Sequence, residues 1–142
     1  MNLEYSDNYA RAFADLAESQ FKERMFPNDL LDNWYSLVNV IQNGYNDVPP
    51  EFDNDVDSAR SYLDYFLNDE KLNSYPEHKL FSEYVLQTDK KFIEATQTSH
   101  QINIDSNKWW VNRFPRFASR AYVDFLGQDF VTKHGLTIKV VG

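Results

Sequence analysis

The chain has 142 residues, with 14 Lys and Arg against 22 Asp and Glu, 16% aromatic residues and no Cys. The absence of Cys excludes thiol catalysis, Fe–S clusters, Cys-based zinc sites and disulfide scaffolds, and it fits a reducing cytoplasm. A chain of this length forms one domain with enough buried surface to need no covalent or metal staple, and its net charge of −8 repels nucleic acid and anionic lipid while favouring basic partners.

Residues 8 to 25 place Tyr9, Ala12, Phe13, Leu16, Ala17, Phe21 and Met25 near the i, i+3, i+4, i+7 spacing of an amphipathic helix. Ser6 or Asp7 is its expected cap, and Phe26-Pro27 its expected end, since a residue before Pro disfavours the helical region. A second helix is expected from Asn28 or Asp29 to about Asn43, burying Leu30, Leu31, Trp34, Leu37, Val38 and Ile41 and stopping at Gly44. The stretch from Tyr45 to Pro50, with two prolines, reads as a loop. A third helix starts between Glu51 and Asp57 and reaches about Leu67, using Phe52, Val56, Ala59, Leu63, Phe66 and Leu67. A fourth runs from Ser74 (cap) and Pro76 (first turn) to about Thr96, with Leu80, Phe81, Tyr84, Val85, Thr88, Phe92 and Ile93 on one face. Residues 97 to 107 lose periodicity and read as a polar loop, with a short extended piece at Gln101 to Ile104. A fifth helix is expected from about Arg116 to Leu126, ending at Gly127. The tail from Leu136 to Val141 alternates like a strand, with Phe130 to Lys133 or the residues around Ile102 as candidate partners. The fold class is therefore mainly α: a single-domain bundle of about five helices with a small C-terminal β element. Trp34, Leu37, Phe81, Tyr84, Val85 and Phe92 form the expected core.

Charge is unevenly spread. Met1 to Asn107 hold 8 basic and 20 acidic residues, whereas Lys108 to Gly142 hold 6 and 2. Between Asp29 and Glu70 there are ten acids and one base, Arg60. This stretch is either a solvated face that meets the basic C-terminal third within the fold or a docking surface for a cationic protein.

Catalytic signatures are missing. His78, His100 and His134 stand in no metal-ligand or triad spacing, and there is no Gly-rich phosphate loop. Asp53-Asn54-Asp55-Val56-Asp57 with Asp64 imitates a calcium loop, but Ser58 stands where the sharp turn needs Gly and Arg60 where an apolar residue belongs. Trp109, Trp110, Phe114 and Phe117 interleave with Lys108, Arg113, Arg116 and Arg120. On a basic protein this would suggest a base-stacking platform. Here the net charge favours an aromatic core, with the Arg residues pairing to the acidic segment. In an extended segment one of Trp109 and Trp110 is buried and the other exposed. No window approaches the roughly 18 apolar residues that span a bilayer, and the N-terminus lacks the basic and apolar regions of a signal peptide, so a soluble protein is expected.

Trp34, Gly44-Tyr45, Glu51-Phe52-Asp53-Asn54-Asp55 and Arg60, followed by Trp109-Trp110, Arg113 and Pro115, form a pattern similar to that of bacterial immunity proteins of contact-dependent growth inhibition and other polymorphic toxin systems. Val48-Pro49-Pro50 and the long polar loop depart from it. The resemblance implies a non-enzymatic cytoplasmic protein without cofactor or metal, which binds a cognate toxin domain and blocks its active site; many such toxins are basic nucleases. The expected toxin-binding residues are Tyr45, Asp47, Glu51, Phe52, Asp53, Asp55 and Asp57, in and just after the loop, with Tyr45 and Phe52 as aromatic anchors. A small helical adaptor or ligand-binding domain is the alternative.

Overall fold

The computed structural model describes residues 2–103 and 107–142. Seven helices occur among them: α1 (Asp7–Phe21), α2 (Pro27–Asn43), α3 (Pro49–Leu67), α4 (Glu70–Asn73), α5 (Pro76–Ala95), α6 (Arg120–Leu126) and α7 (Gln128–Lys133). Four short strands accompany them: β1 (Thr96–Thr98), β2 (Arg113–Pro115), β3 (Phe117–Ala118) and β4 (Lys139–Val140). The mainly α fold with a small β element is as expected, and no described helix is long and apolar enough to cross a membrane.

Proline starts three of the four long helices. Pro27, Pro49 and Pro76 take the first position of α2, α3 and α5, where the missing N–H has no intrahelical acceptor to lose. This corrects three expected boundaries. α2 begins before Asn28, the Pro49-Pro50 pair opens α3 instead of lying in a loop, and Ser74 does not cap α5 but donates to the Lys71 carbonyl. Asn28 has other work: its amide bonds the Leu3 N–H and C=O at 2.8 and 2.9 Å, pinning the N-terminus to α2. The Ser6 cap of α1 is as expected, its hydroxyl accepting from the Tyr9 N–H. α1 nevertheless stops at Phe21, short of Phe26-Pro27, because Lys22 turns left-handed (φ 63°) and donates to the Glu18 carbonyl. Met25 still packs on the core from the connection that follows.

α2 packs against both α5 and α3. Trp34, Phe81, Val85 and Phe92 are fully buried as expected, while Leu37 and Tyr84 lie half-buried at the core's edge. Phe13 stacks on Phe66 at 4.1 Å and meets Phe81 edge-on, tying α1 to α3 and α5.

The C-terminal third differs most from expectation. β1 pairs antiparallel with β2, and the tail strand β4 pairs in parallel with β3. Neither anticipated partner is used: Phe130 to Lys133 belong to α7, residues 101–103 form no strand, and Ile104 lies outside the described residues. Arg116 to Ala118 precede α6, which starts at Arg120 behind a Ser119 cap. Tyr45 exchanges backbone hydrogen bonds with Phe117 and Ser119, so the end of α2 joins this small sheet. Gly44 makes that junction feasible: its φ is 124°, and a Cβ there would run into Val141 Cγ2.

Candidate functional site

The 3.6-residue period distributes the acids of α3 over two edges. Phe52, Val56, Arg60, Leu63 and Phe66 face the core. Glu51 and Asp55, one turn apart, flank this stripe on the α2 side. Asp53, Asp57 and Asp64 flank it on the other. Between them, away from the core, Asn54 and Ser58 are exposed. The acidic band expected from composition is thus two acidic edges with an uncharged strip between. Because Asp53 to Asp64 form continuous helix, they cannot fold as a calcium loop, and among the described residues no group of three or more acids and histidines is placed to hold a metal.

Tyr45 and Phe52 are not surface anchors. They are 3% and 1% exposed and meet Tyr122 in a triangle of edge-on rings, with Tyr45 and Phe52 5.0 Å apart. Position 52 lies on the core stripe because the helix starts at Pro49, and Tyr45 is fixed by its bridge to β3. The Tyr45 hydroxyl donates to Asp55 Oδ2 at 2.7 Å; burial first, then the Asp55 carboxylate, push its pKa far up.

The remaining expected residues reach water. Asp47 and Glu51 are exposed, and Asp47 accepts from the Val48 N–H. Asp53 is exposed at its outer side, but its carboxyl lines a cavity of about 160 Å³ with Phe52, Val56 and Trp110, and this desolvation raises its pKa. Asp57 is committed within the fold, accepting from Trp110 Nε1 (2.9 Å) and Ser61 Oγ (2.8 Å) with Lys108 Nζ at 3.5 Å. Burial pushes its pKa up, but the two hydrogen bonds and the Lys108 charge outweigh this and lower it. Among the described residues, Glu51, Asp53 and Asp55 have no ion-pair partner.

Two clefts of about 280 Å³ each flank the exposed strip. One lies against Asn33 and Leu37 of α2, the other against Phe21 and Lys108, and Ser58 and Tyr62 line both. At the C-terminal end of the strip, Phe21 meets Tyr62 at 4.8 Å and Tyr65 at 5.1 Å, all three rings half-buried. These are the accessible aromatic residues of this side. Their i, i+3 spacing was legible, but their meeting with Phe21 of α1 was not.

Arg60 has a different role from that of the acids around it. Its Nε and Nη2 donate to both oxygens of Asp89 on α5 at 2.8 and 2.9 Å, and Trp34 Nε1 donates to Asp89 Oδ1 at 2.9 Å. The guanidinium carbon stands 4.9 Å from the Trp110 ring and 5.5 Å from Trp109. This bidentate, aromatic-covered pair links α2, α3, α5 and the 108–112 turn. The signal in the sequence was a lone Arg in register with Val56 and Leu63. Trp110 is 2% exposed and Trp109 half-buried. The segment is a turn, with Asn112 at φ 60°, and not the extended piece on which the alternation argument rested, so the difference has another origin: Trp110 belongs to the core cluster and Trp109 packs at its edge.

The basic C-terminal third does not neutralise the acidic stretch. Lys108 reaches Asp57, but Arg113 donates to Thr96 Oγ1 and the Ile93 carbonyl, and Arg116 to the Glu94 carbonyl. These acceptors lie at the C-terminal end of α5, which has no basic residue in its own last turn; cations are favoured there by the helix dipole.

Two histidines serve as buried links. His78 Nδ1 bonds the Tyr9 hydroxyl at 2.7 Å and the ring stacks on Phe81, joining α1 to α5. Burial lowers its pKa, with the Leu67 and Phe66 carbonyls opposing. Ser99 Oγ and His134 Nδ1 are hydrogen-bonded at 2.7 Å, and Oγ also accepts from the Gln101 N–H. At 4% and 9% exposure, this pair fastens the end of β1 to α7.

Comparison of the chain with family models, with curated proteins and with solved structures returns no match.

Proposed function

We propose that the protein is a non-enzymatic inhibitor that binds a basic protein domain through the outward side of α3, between the two acidic edges. The observation that carries this reading is the uncharged strip of Asn54 and Ser58, bordered by carboxylates of which Glu51, Asp53 and Asp55 have no internal counter-ion among the described residues. A fold that needed these charges for itself would pair them; here Arg113 and Arg116 are spent on the end of α5, and Lys108 reaches only Asp57. Phe21, Tyr62 and Tyr65 replace Tyr45 and Phe52 as the aromatic anchors. The resemblance to immunity proteins supplies the class of partner, a cationic toxin domain met in the cytoplasm and neutralised one to one. Blockade comes from covering its catalytic groups or the path of its substrate.

In such an interface the outer acids raise the association rate and make it salt-dependent, while the aromatic residues set dissociation. The test first asks whether a secreted protein with a variable C-terminal domain is encoded immediately upstream, and takes that domain as the binding partner; its absence counts against the reading. Glu51→Gln, Asp53→Asn and Asp55→Asn together are expected to slow association by about tenfold or more at low salt and flatten its salt slope. Tyr62→Ala is expected to speed dissociation instead. An unchanged rate and slope in the triple variant would remove this side of α3 from the interface.

A further inference from the structure

A groove of about 590 Å³ runs along α5, sharing no residue with the clefts beside α3. Leu86 and Ile93, two turns apart on α5, line it at 61% and 46% exposure, and the half-buried Trp109 faces them. A single exposed Leu means little. Here two exposed aliphatic side chains and an indole share a concave surface of the size that holds a small ligand.

Arg60 also lines this groove, although it is only 3% exposed. Its Nε and Nη2 are satisfied by Asp89, but Nη1 is buried and makes no hydrogen bond. The Asp64 carboxylate stands 3.5 Å from it, too long for a good hydrogen bond. A buried guanidinium N–H without an acceptor is uncommon and calls for a partner.

We infer that this groove binds a small uncharged molecule with an aliphatic body and a carbonyl oxygen, the oxygen accepting from Arg60 Nη1 and the body lying on Leu86 and Ile93. Charge decides against an organic acid. Arg60 and Lys90 are already balanced by Asp89 and Glu94 along the groove, Asp64 adds a further negative charge, and the whole chain carries −8. An added carboxylate would meet uncompensated negative charge. An ammonium would bring donors to a donor. Nη1 is closed off from water, and Trp109 and Trp110 lie over the guanidinium at 5.5 and 4.9 Å; only Trp109 lines the groove, so a ligand that reaches Nη1 from there has to displace the Trp109 ring. Trp109 sits in a turn, where that movement breaks no helix or sheet ladder.

The test titrates the full chain with N-butylacetamide, followed by amide NMR shifts and tryptophan fluorescence, with hexanoate and hexylamine as charged counterparts. Saturable binding in roughly the millimolar range is expected for a molecule of this size, with a change in Trp109 emission that is lost in Trp109→Phe. Leu86→Ser with Ile93→Ser, both at exposed positions, should leave the circular dichroism unchanged and weaken binding by about tenfold or more. Hexanoate and hexylamine should bind about tenfold more weakly than the amide or worse. Failure to saturate by about 10 mM would overturn the inference and leave the Asp64 carboxylate as the nearest acceptor of Nη1. Equal affinity in the Ser double variant, or hexanoate binding as well as the amide, would overturn it too.

Discussion

α3 shows carboxylates in two opposite situations. On its inner side, Arg60 grips Asp89 across the core, both nearly out of reach of water and covered by Trp109 and Trp110. On its outer edges, Glu51, Asp53 and Asp55 have no cation beside them among the described residues. The difference is solvation. A carboxylate in water is already stabilised and gains little from a partner, whereas a buried one must be paired and hydrogen-bonded or it is expelled or protonated. The inner charges therefore hold the fold together, and the outer ones are available to a partner.

Breaking the inner pair should have the largest effect. Arg60→Met leaves Asp89 buried with only the Trp34 N–H, and a loss of about 3–5 kcal/mol is expected in chemical denaturation. Adding Asp89→Leu should recover part of that loss, because the double variant buries no unpaired charge. If the double variant is less stable than the sum of the single ones, the pair is not the unit described here.

Gly44→Ala tests the junction between α2 and the C-terminal sheet. The new methyl meets Val141 and the backbone is left-handed there, so a loss of about 1–3 kcal/mol is expected, together with faster hydrogen exchange at Lys139 and Val141, whose N–H groups donate to Arg116 and Ala118. Unchanged exchange would show that the tail does not depend on this contact.

A titrating group inside the core sharpens the same contrast. Burial holds the His78 pKa below its ordinary 6.5, so below about pH 6.5 the unfolded chain takes up a proton that the native ring resists. Stability should fall as pH drops through that window and be independent of His78 above it. Melting of the parent and of His78→Gln at about pH 5 and about pH 7 should show a smaller drop in the variant; an equal drop would assign the dependence to other groups.

The smallest expected effect is on the outer edge. Partial burial raises the Asp53 pKa and no ion-pair partner stands beside it among the described residues, so Asp53→Asn should leave thermal stability within about 0.5 kcal/mol of the parent, shifted upward if at all. A clear loss would mean that Asp53 has structural work inside the fold and is not free for a partner.

Much of the helical layout was legible in the residues. The stripes containing Trp34, Val56 and Phe92 named the right helices and most of the inward faces, because the 3.6 period is a local property of the chain; Leu80 and Ile93, expected on the Phe92 face, are exposed. Boundaries were less legible where one residue admits two readings. Pro49-Pro50 fits a loop or a helix start equally well, and Phe52, read both as part of the helical stripe and as an aromatic anchor beside the loop, belongs to the core alone. The expected site was legible in its charges and wrong in its aromatic residues for that reason.

By itself, the sequence determined the helical class, most of the buried stripes, the acidic stretch with its lone Arg60, the start of α1 at Ser6 or Asp7 and the stop of α2 at Gly44, since each depends on neighbours within a few turns. Only the tertiary structure decided where charges end. Arg60 finds Asp89, 29 residues away, Arg113 and Arg116 find the end of α5, and the tail finds Phe117 and Ala118 instead of its nearer neighbours. The physical reason is that composition fixes how many charges and strand edges exist, whereas the long-range packing of helices fixes which of them leave water and must then be satisfied.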